Sequence, residues 1–320
     1  MNADNARFSS PRTRLQKQSQ PLYDEALFSR LQHLVLQSQH LSSTGLTGEH
    51  RSRRRGLSPE FSDFKPYSPG DDFRRIDWKT YARFDELFVR ESETTTEYDI
   101  HILVDTSPSM DWSADDDAIT KLRYSLQIAG AIAYLSLWHF DRITIGSLND
   151  VAGKPLGPIQ GRNHILPVFR FLERLSPTGG KVVASSLLRY VHSRSRPGIV
   201  IAISDLLDDD LAELEQTLQR LSARGWETCI LRIEDPAEVD PNRLLQNSPN
   251  LELADSESGS RLQIHGGART LSSYLADRQL WTSQLETLGK RQRTSYLTVS
   301  TDEPVETVVF SRLRSLGVVR

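Results

Sequence analysis

One cysteine in a chain of 320 residues leaves no internal disulfide to form, so the fold cannot rest on a disulfide framework. A reducing compartment, the cytoplasm, is the expectation. That residue, Cys229, lies in the apolar run Thr228-Cys229-Ile230-Leu231 and is expected to pack as a small hydrophobe. Long apolar runs are also missing. The most apolar stretch, Ile128 to Phe140, has about a dozen residues against the roughly 20 that cross a bilayer, and it reads as a buried helix. Nor does one sign of charge dominate. A formal net charge of −3, with 25% charged and 38% hydrophobic residues, excludes disordered, fibrous and nucleic-acid-coating classes. Residues 1–20 contain no apolar core for a secretory leader, and their early acidic and amide residues fit a transit peptide poorly. A disordered polar tail is expected there.

What is present is organised in two styles. Between Leu22 and Leu41, the leucines Leu27, Leu31 and Leu34 fall at helical spacing, and the cluster Ser42-Ser43-Thr44-Gly45 ends the pattern. From Gly48 to Glu91 the chain is dense in charges and turn residues and holds no long periodic segment. After Tyr98 short apolar runs alternate with helical stretches: strands at Ile100–Val104, Arg142–Ile145, Ile199–Ile203, Thr228–Ile233 and Ser295–Val299. The helices between them are read at Thr120–Phe140, Ile165–Leu175, Val182–Arg194, Leu211–Ala223 and Leu271–Arg291. Such alternation predicts βαβ units on a mainly parallel sheet with helices on both faces, an α/β doubly wound domain. The expected organisation is a helix and charged module over 21–95, the α/β domain over 96–300 and a packed C-terminal extension over 301–320.

Ligands of open α/β sheets bind where loops leave the C-terminal ends of strands. Two such ends are rich in oxygen: Asp105-Thr106-Ser107-Pro108-Ser109, and Ser204-Asp205. One carboxylate and two hydroxyls at alternate positions, joined by a second carboxylate from another strand, form a hard donor set suited to Mg²⁺ or Mn²⁺ rather than zinc. The same residues would equally satisfy turn amides.

Asp-x-Ser-x-Ser after an apolar strand resembles the first element of the metal-ion-dependent adhesion site of von Willebrand A domains, and Ile203-Ser204-Asp205 resembles its later aspartate element. That resemblance implies a metal held by Asp105, Ser107, Ser109 and Asp205. The site normally takes a threonine from a Gly-Gly-Thr loop, and here the loop reads Thr178-Gly179-Gly180-Lys181. An ammonium pointing inward about 4 Å from a divalent ion would cost on the order of 8 kcal/mol at an effective dielectric of 20. Either Lys181 turns outward and Thr178 or water fills the gap, or its ammonium replaces the cation and pairs with Asp105 and Asp205.

A second resemblance covers His50 to Arg90. Arg55-Gly56, Glu60-Phe61, Tyr67-Ser68-Pro69-Gly70-Asp71-Asp72, Arg74, Ile76-Asp77-Trp78, Ala82-Arg83 and Leu87-Phe88-Val89-Arg90 resemble the signature of the family called domain of unknown function 58. Members of that family join such a segment to a von Willebrand A-like domain and resemble partners of MoxR-type AAA+ ATPases, acting in the assembly or activation of other proteins. The resemblance implies a non-enzymatic, chaperone-like protein-binding adaptor with such an ATPase or its client as partner. On the residues themselves, Tyr67, Asp71, Asp72, Arg74, Asp77, Trp78 and Arg83 fit a structural clasp better than a partner-binding face, and exposed ion pairs among them would contribute below about 1 kcal/mol each.

Other chemistries fit less well. An aspartyl phosphotransferase carries a second acid where Ser107 stands. Neither Ser107 nor Ser185 lies in a nucleophile elbow, and Gly179-Gly180-Lys181 lacks the flanking residues of a phosphate-binding loop. The run Arg51 to Arg55 has no interleaved aromatics, which favours a solvated or salt-paired loop over nucleic acid. The alternative to a binding protein is a metal-dependent phosphohydrolase using the same strand-end oxygens.

Overall fold

A computed structural model of the chain describes residues 29–30, 61–67, 76–84, 86–92, 98–113, 118–149, 153–180, 183–207, 210–240, 250–254, 261–265, 268–292 and 294–315. They fall into two compact units, one within 48–97 and one holding the rest. The expected 1–20 tail and the arginine run 51–55 lie outside the described residues, as does the 22–41 helix apart from the helical pair Ser29–Arg30.

The smaller unit contains an antiparallel pair, β1 (Phe61–Pro66) and β2 (Phe88–Ser92), with the short helix α1 (Trp78–Phe84) between them in sequence. In the larger unit a six-stranded sheet runs in the order β10-β7-β6-β3-β4-β5. Its strands are β3 (Asp99–Asp105), β4 (Arg142–Leu148), β5 (Leu156–Gln160), β6 (Ile199–Ser204), β7 (Glu227–Glu234) and β10 (Ser295–Ser300). All neighbours are parallel except β4 and β5, so an antiparallel edge strand closes one side. A separate hairpin pairs β8 (Asn250–Ala254) with β9 (Arg261–His265).

The central strands read as near-continuous apolar runs because both faces of the sheet are covered, and period-two alternation sends successive side chains to opposite cores. Ile100, Ile102 and Val104 of β3, with Ile199, Ile201 and Ile203 of β6, join one core. Leu103, Val200 and Ala202 join the other. Helices α2 (Lys121–Trp138) and α3 (Ile165–Leu172) fill the first core. The second is covered by α4 (Val183–His192), α5 (Leu211–Ala223) and the later part of α7 (Ala268–Arg291), through Leu285 and Leu288. Helix α2 is buried on nearly every side, which explains its lack of a polar stripe. Its N-cap is Thr120, whose hydroxyl accepts the Arg123 amide at 3.2 Å. The C-terminal segment continues into a π-helical turn, Thr307–Leu313, that buries Val308, Val309 and Leu313 in the first core. Arg30 forms an ion pair with Glu306 at its start. Cys229 is buried in the first core, and desolvation pushes its thiol up to about 12. Among the described residues no helix is long and apolar enough to cross a membrane.

This is the doubly wound arrangement expected from the sequence. The chain leaves β3 toward β4 on one side and later returns to place β6 on the other. The C-terminal ends of β3 and β6 therefore flank the crevice where strand order reverses, the usual ligand position of such sheets.

Candidate functional site

Asp105 is the last residue of β3, and Ser204 and Asp205 close and follow β6. The crevice thus receives one carboxylate from each side, and the structure brings the predicted elements together. Asp105 is fully buried. Its Oδ1 accepts the backbone N–H of Ser107 at 2.8 Å, and its Oδ2 accepts the hydroxyl of Ser204 at 2.5 Å. The first bond closes an Asx turn, after which Pro108 starts a single 3-10 turn over Pro108–Asp111. Met110, fully buried, anchors that turn, and the Ser107 and Ser109 hydroxyls are left 3.0 Å apart. Ser107 is inaccessible and Ser109 half-buried, so the cluster meets solvent on the Ser109 side.

The Thr178 loop is tied to the same place. Thr178 donates its amide to the Thr106 carbonyl at 2.8 Å. Asn149, at the end of β4, donates its side-chain amide to the Thr106 hydroxyl at 2.6 Å, and to the carbonyl and hydroxyl of Thr178 at 3.2 and 3.3 Å. The Thr178 hydroxyl also donates to the Ser176 carbonyl at 3.3 Å. Thr178 is exposed, at the outer edge of the cluster. Lys181 lies outside the described residues.

Asp205 is held differently from Asp105. Its Oδ1 accepts the Leu207 amide at 3.2 Å, and its Oδ2 accepts the ammonium of Lys121 at 2.9 Å. The same ammonium donates to Glu238 Oε1 at 2.6 Å. Side-chain exposure is 1% for Lys121, 1% for Asp205 and 19% for Glu238. Burial opposes the charge on Lys121, but the carboxylates of Asp205 and Glu238 outweigh it and raise its pKa above the ordinary lysine value. Glu238 belongs to α6 (Pro236–Val239), where it completes a capping box with Asp235. Arg232, also buried, reaches the Asp205 carbonyl at 3.4 Å and pairs with Glu234 at 2.8 Å. Between Ser204 and Leu207 the backbone of Leu206 adopts a left-handed conformation, φ 49°, held by its amide donating to the Ser204 hydroxyl at 3.1 Å. A non-glycine residue there is strained.

Sequence reasoning offered a lysine ammonium at Asp205, from Lys181, as one of two alternatives, the other being Lys181 turned outward. The ammonium that meets Asp205 among the described residues is that of Lys121. A signal for it existed: a lysine at the first position of a helix opposes the helix dipole, and Lys121 occupies that position on the helix that runs into the apolar stretch from Ile128.

The other predicted cluster is placed in part. Asp71, Asp72 and Arg74 lie outside the described residues. Asp77 is buried and precedes α1, accepting the amide of Thr80 at 3.2 Å on its carboxylate and that of Tyr81 at 3.0 Å on its carbonyl. That is helix-capping geometry. Asp77 and Tyr67 also tie their amides to the carbonyls of Phe88 and Leu87 at 2.9 and 2.8 Å. Trp78 is 63% exposed, edge-on to Tyr81 at 6.2 Å, and Arg83 is exposed in the last turn of α1.

Chemically, Asp105, Ser107 and Ser109 are a carboxylate and two adjacent hydroxyls, hard oxygens that fit a magnesium-like ion. Asp205 fits a direct bond to such an ion poorly, because one of its oxygens already carries an ammonium. Among the described residues no group of three His, Cys, Asp or Glu side chains converges on a common point, so hydroxyls would have to complete any ligand set.

The family model described as Protein of unknown function DUF58 matches residues 63–280. Over 241 residues the chain is 27% identical to an uncharacterized protein of Mycobacterium bovis, covering 74% of this chain and 73% of the relative. The same figures hold for an uncharacterized protein of Mycobacterium tuberculosis. Among solved structures, the chain is similar to an aerotolerance-related membrane protein from Bacteroides fragilis, with TM-score 0.43 and 13% identity over 66% of this chain and 94% of that one. It is also similar to the conserved hypothetical protein BatB from Bacteroides thetaiotaomicron, with TM-score 0.42 and 12% identity over 69% and 98%.

Proposed function

We propose that this chain, which belongs to the family described as Protein of unknown function DUF58, is a non-enzymatic protein-binding module that recognises its partner at the crevice between β3 and β6. The observation that carries the reading is the paired hydroxyls of Ser107 and Ser109, 3.0 Å apart beside the buried Asp105 at the topological switch point. Buried polar groups tied into a network hold their geometry without reorganisation, which suits a rigid recognition point. A bound magnesium-like ion, held by Asp105, Ser107 and Ser109, would supply a positive centre open to a carboxylate of the partner. Thr178 and Ser109 form the accessible edge that the partner would meet, while Asp105 and Ser204 fix the floor.

Binding without turnover is favoured by the state of the crevice's carboxylates. Asp105 accepts two hydrogen bonds and Asp205 accepts an amide and an ammonium. Neither is placed as a general base, which the phosphohydrolase alternative requires. The partner we propose is a MoxR-type AAA+ ATPase or its client, on the family resemblance set out above.

The test is titration calorimetry of a purified MoxR-type ATPase from the same genome against wild type, Ser109→Ala and Asp105→Ala, with magnesium and with chelator. The proposal expects binding to weaken by about tenfold or more in Ser109→Ala, the factor for about 1.4 kcal/mol, and to disappear in Asp105→Ala. Equal binding by all three proteins would contradict it. Turnover of aryl phosphates by wild type with manganese, lost in Asp105→Ala, would favour the phosphohydrolase.

A further inference from the structure

Lys121 raises a question that the recognition reading leaves open: why a helix otherwise buried in the apolar core begins with a fully buried ammonium. Its Nζ is 2.9 Å from Asp205 Oδ2 and 2.6 Å from Glu238 Oε1, with the Trp112 ring centroid at 5.8 Å. Residues 84 and 117 positions away in sequence supply the two carboxylates, so the triad is assembled by the fold and not by α2. Arg232 adds a second buried cation on the Asp205 carbonyl. One carboxylate at the crevice, Asp105, therefore takes hydrogen bonds from an amide and a hydroxyl, while the other, Asp205, carries an internal cation.

We infer that Lys121 is a tethered cation competing with a divalent ion for Asp205, and that it sets the metal affinity of the crevice. The inference deepens the recognition reading and rests on it for the location of the ion, but it makes a separate claim. In the wild type Asp205 serves the ammonium, and any ion rests on Asp105, Ser107 and Ser109. Removing the ammonium opens Asp205 Oδ2 to a divalent ion. The ammonium and a divalent ion are like-charged groups sharing one buried carboxylate, so occupancy by one opposes occupancy by the other.

The test is calorimetric titration of Mn²⁺ into the full chain as wild type, Lys121→Met, Lys121→Gln, Asp205→Asn and the double variant Lys121→Met with Asp205→Asn, with far-UV circular dichroism confirming the fold of each. Lys121→Gln keeps a hydrogen-bond donor beside Asp205 and guards against loss of fold in Lys121→Met. The inference expects the Lys121 variants to bind Mn²⁺ about tenfold or more tightly than wild type. It expects the gain to vanish when Asp205→Asn is added. Asp205→Asn alone should leave wild-type affinity within about threefold, well under the 1.4 kcal/mol that a tenfold change represents. If wild type binds no Mn²⁺ but Lys121→Met binds it through Asp205, the competition stands and the ion-assisted reading of the wild type falls. If wild type binds Mn²⁺ and the folded Lys121 variants bind no more tightly, the competition is overturned and the recognition reading survives. If no folded variant binds, both are overturned.

Discussion

Replacing Lys121 by methionine removes the ammonium that bridges Asp205 and Glu238 and leaves the volume of the side chain nearly unchanged. The loss follows from burial. Lys121 and Asp205 are each 1% exposed, and Glu238 is 19% exposed. Breaking a buried pair by deleting one partner costs about 3–5 kcal/mol, because a charge is left uncompensated in a medium that solvates it poorly. Glu238 retains some contact with water, which places the expected loss near about 3 kcal/mol. Urea unfolding of both proteins at neutral pH measures this directly. A deficit below about 1 kcal/mol at pH 7, where exposed pairs lie, would show that the triad is not held as a buried pair.

Further predictions concern the scaffold. His101 is buried under Tyr190 and Trp226, with its Nδ1 2.8 Å from the Tyr190 hydroxyl; burial and then the nearby Arg194 hold its pKa down at about 4. It contributes stability that is complete above the unfolded pKa of about 6.5 and is lost as pH falls toward the folded value, amounting to about 3 kcal/mol, so His101→Phe should flatten the acid limb of the stability curve between those values. Leu103→Ala, at a fully buried position of β3, should cost about 2–5 kcal/mol in urea unfolding through lost transfer and a residual cavity. Asp77→Ala should cost about 1 kcal/mol through loss of the cap on α1, seen as faster amide exchange at Thr80 and Tyr81.

Much of the α/β unit was legible because burial on both faces writes itself into the sequence. The apolar run at Ile199–Ile203 became β6, Ile199–Ser204, and the helix read at Leu211–Ala223 has those bounds in the structure. The Thr120–Phe140 reading resolves into the cap Thr120 and the helix Lys121–Trp138. Elements with weaker burial escaped. β5, Leu156–Gln160, contains Gly157 and Pro158 and is half-exposed on an edge, so no continuous apolar run marked it. β8 and β9 carry an alternation, Leu251 with Leu253 and Leu262 with Ile264, that was readable yet short. The hairpin strands within 61–92 were hidden among charges and turn residues. At the crevice, Asp105, Ser107, Ser109 and Asp205 were legible because each lies at or just past the end of a strongly apolar strand. Lys121 was marked only by its place at the start of its helix, because its role depends on Asp205 and Glu238, partners far away in sequence.

Partner recognition through the oxygens at the end of β3 is tested by the affinity of a purified MoxR-type ATPase for wild type and for Ser109→Ala, in magnesium and in chelator. Loss of the Ser109 hydroxyl is expected to weaken binding by about tenfold or more, about 1.4 kcal/mol, with a comparable loss on chelation. Binding unchanged by the substitution and by the chelator would place recognition elsewhere on the molecule.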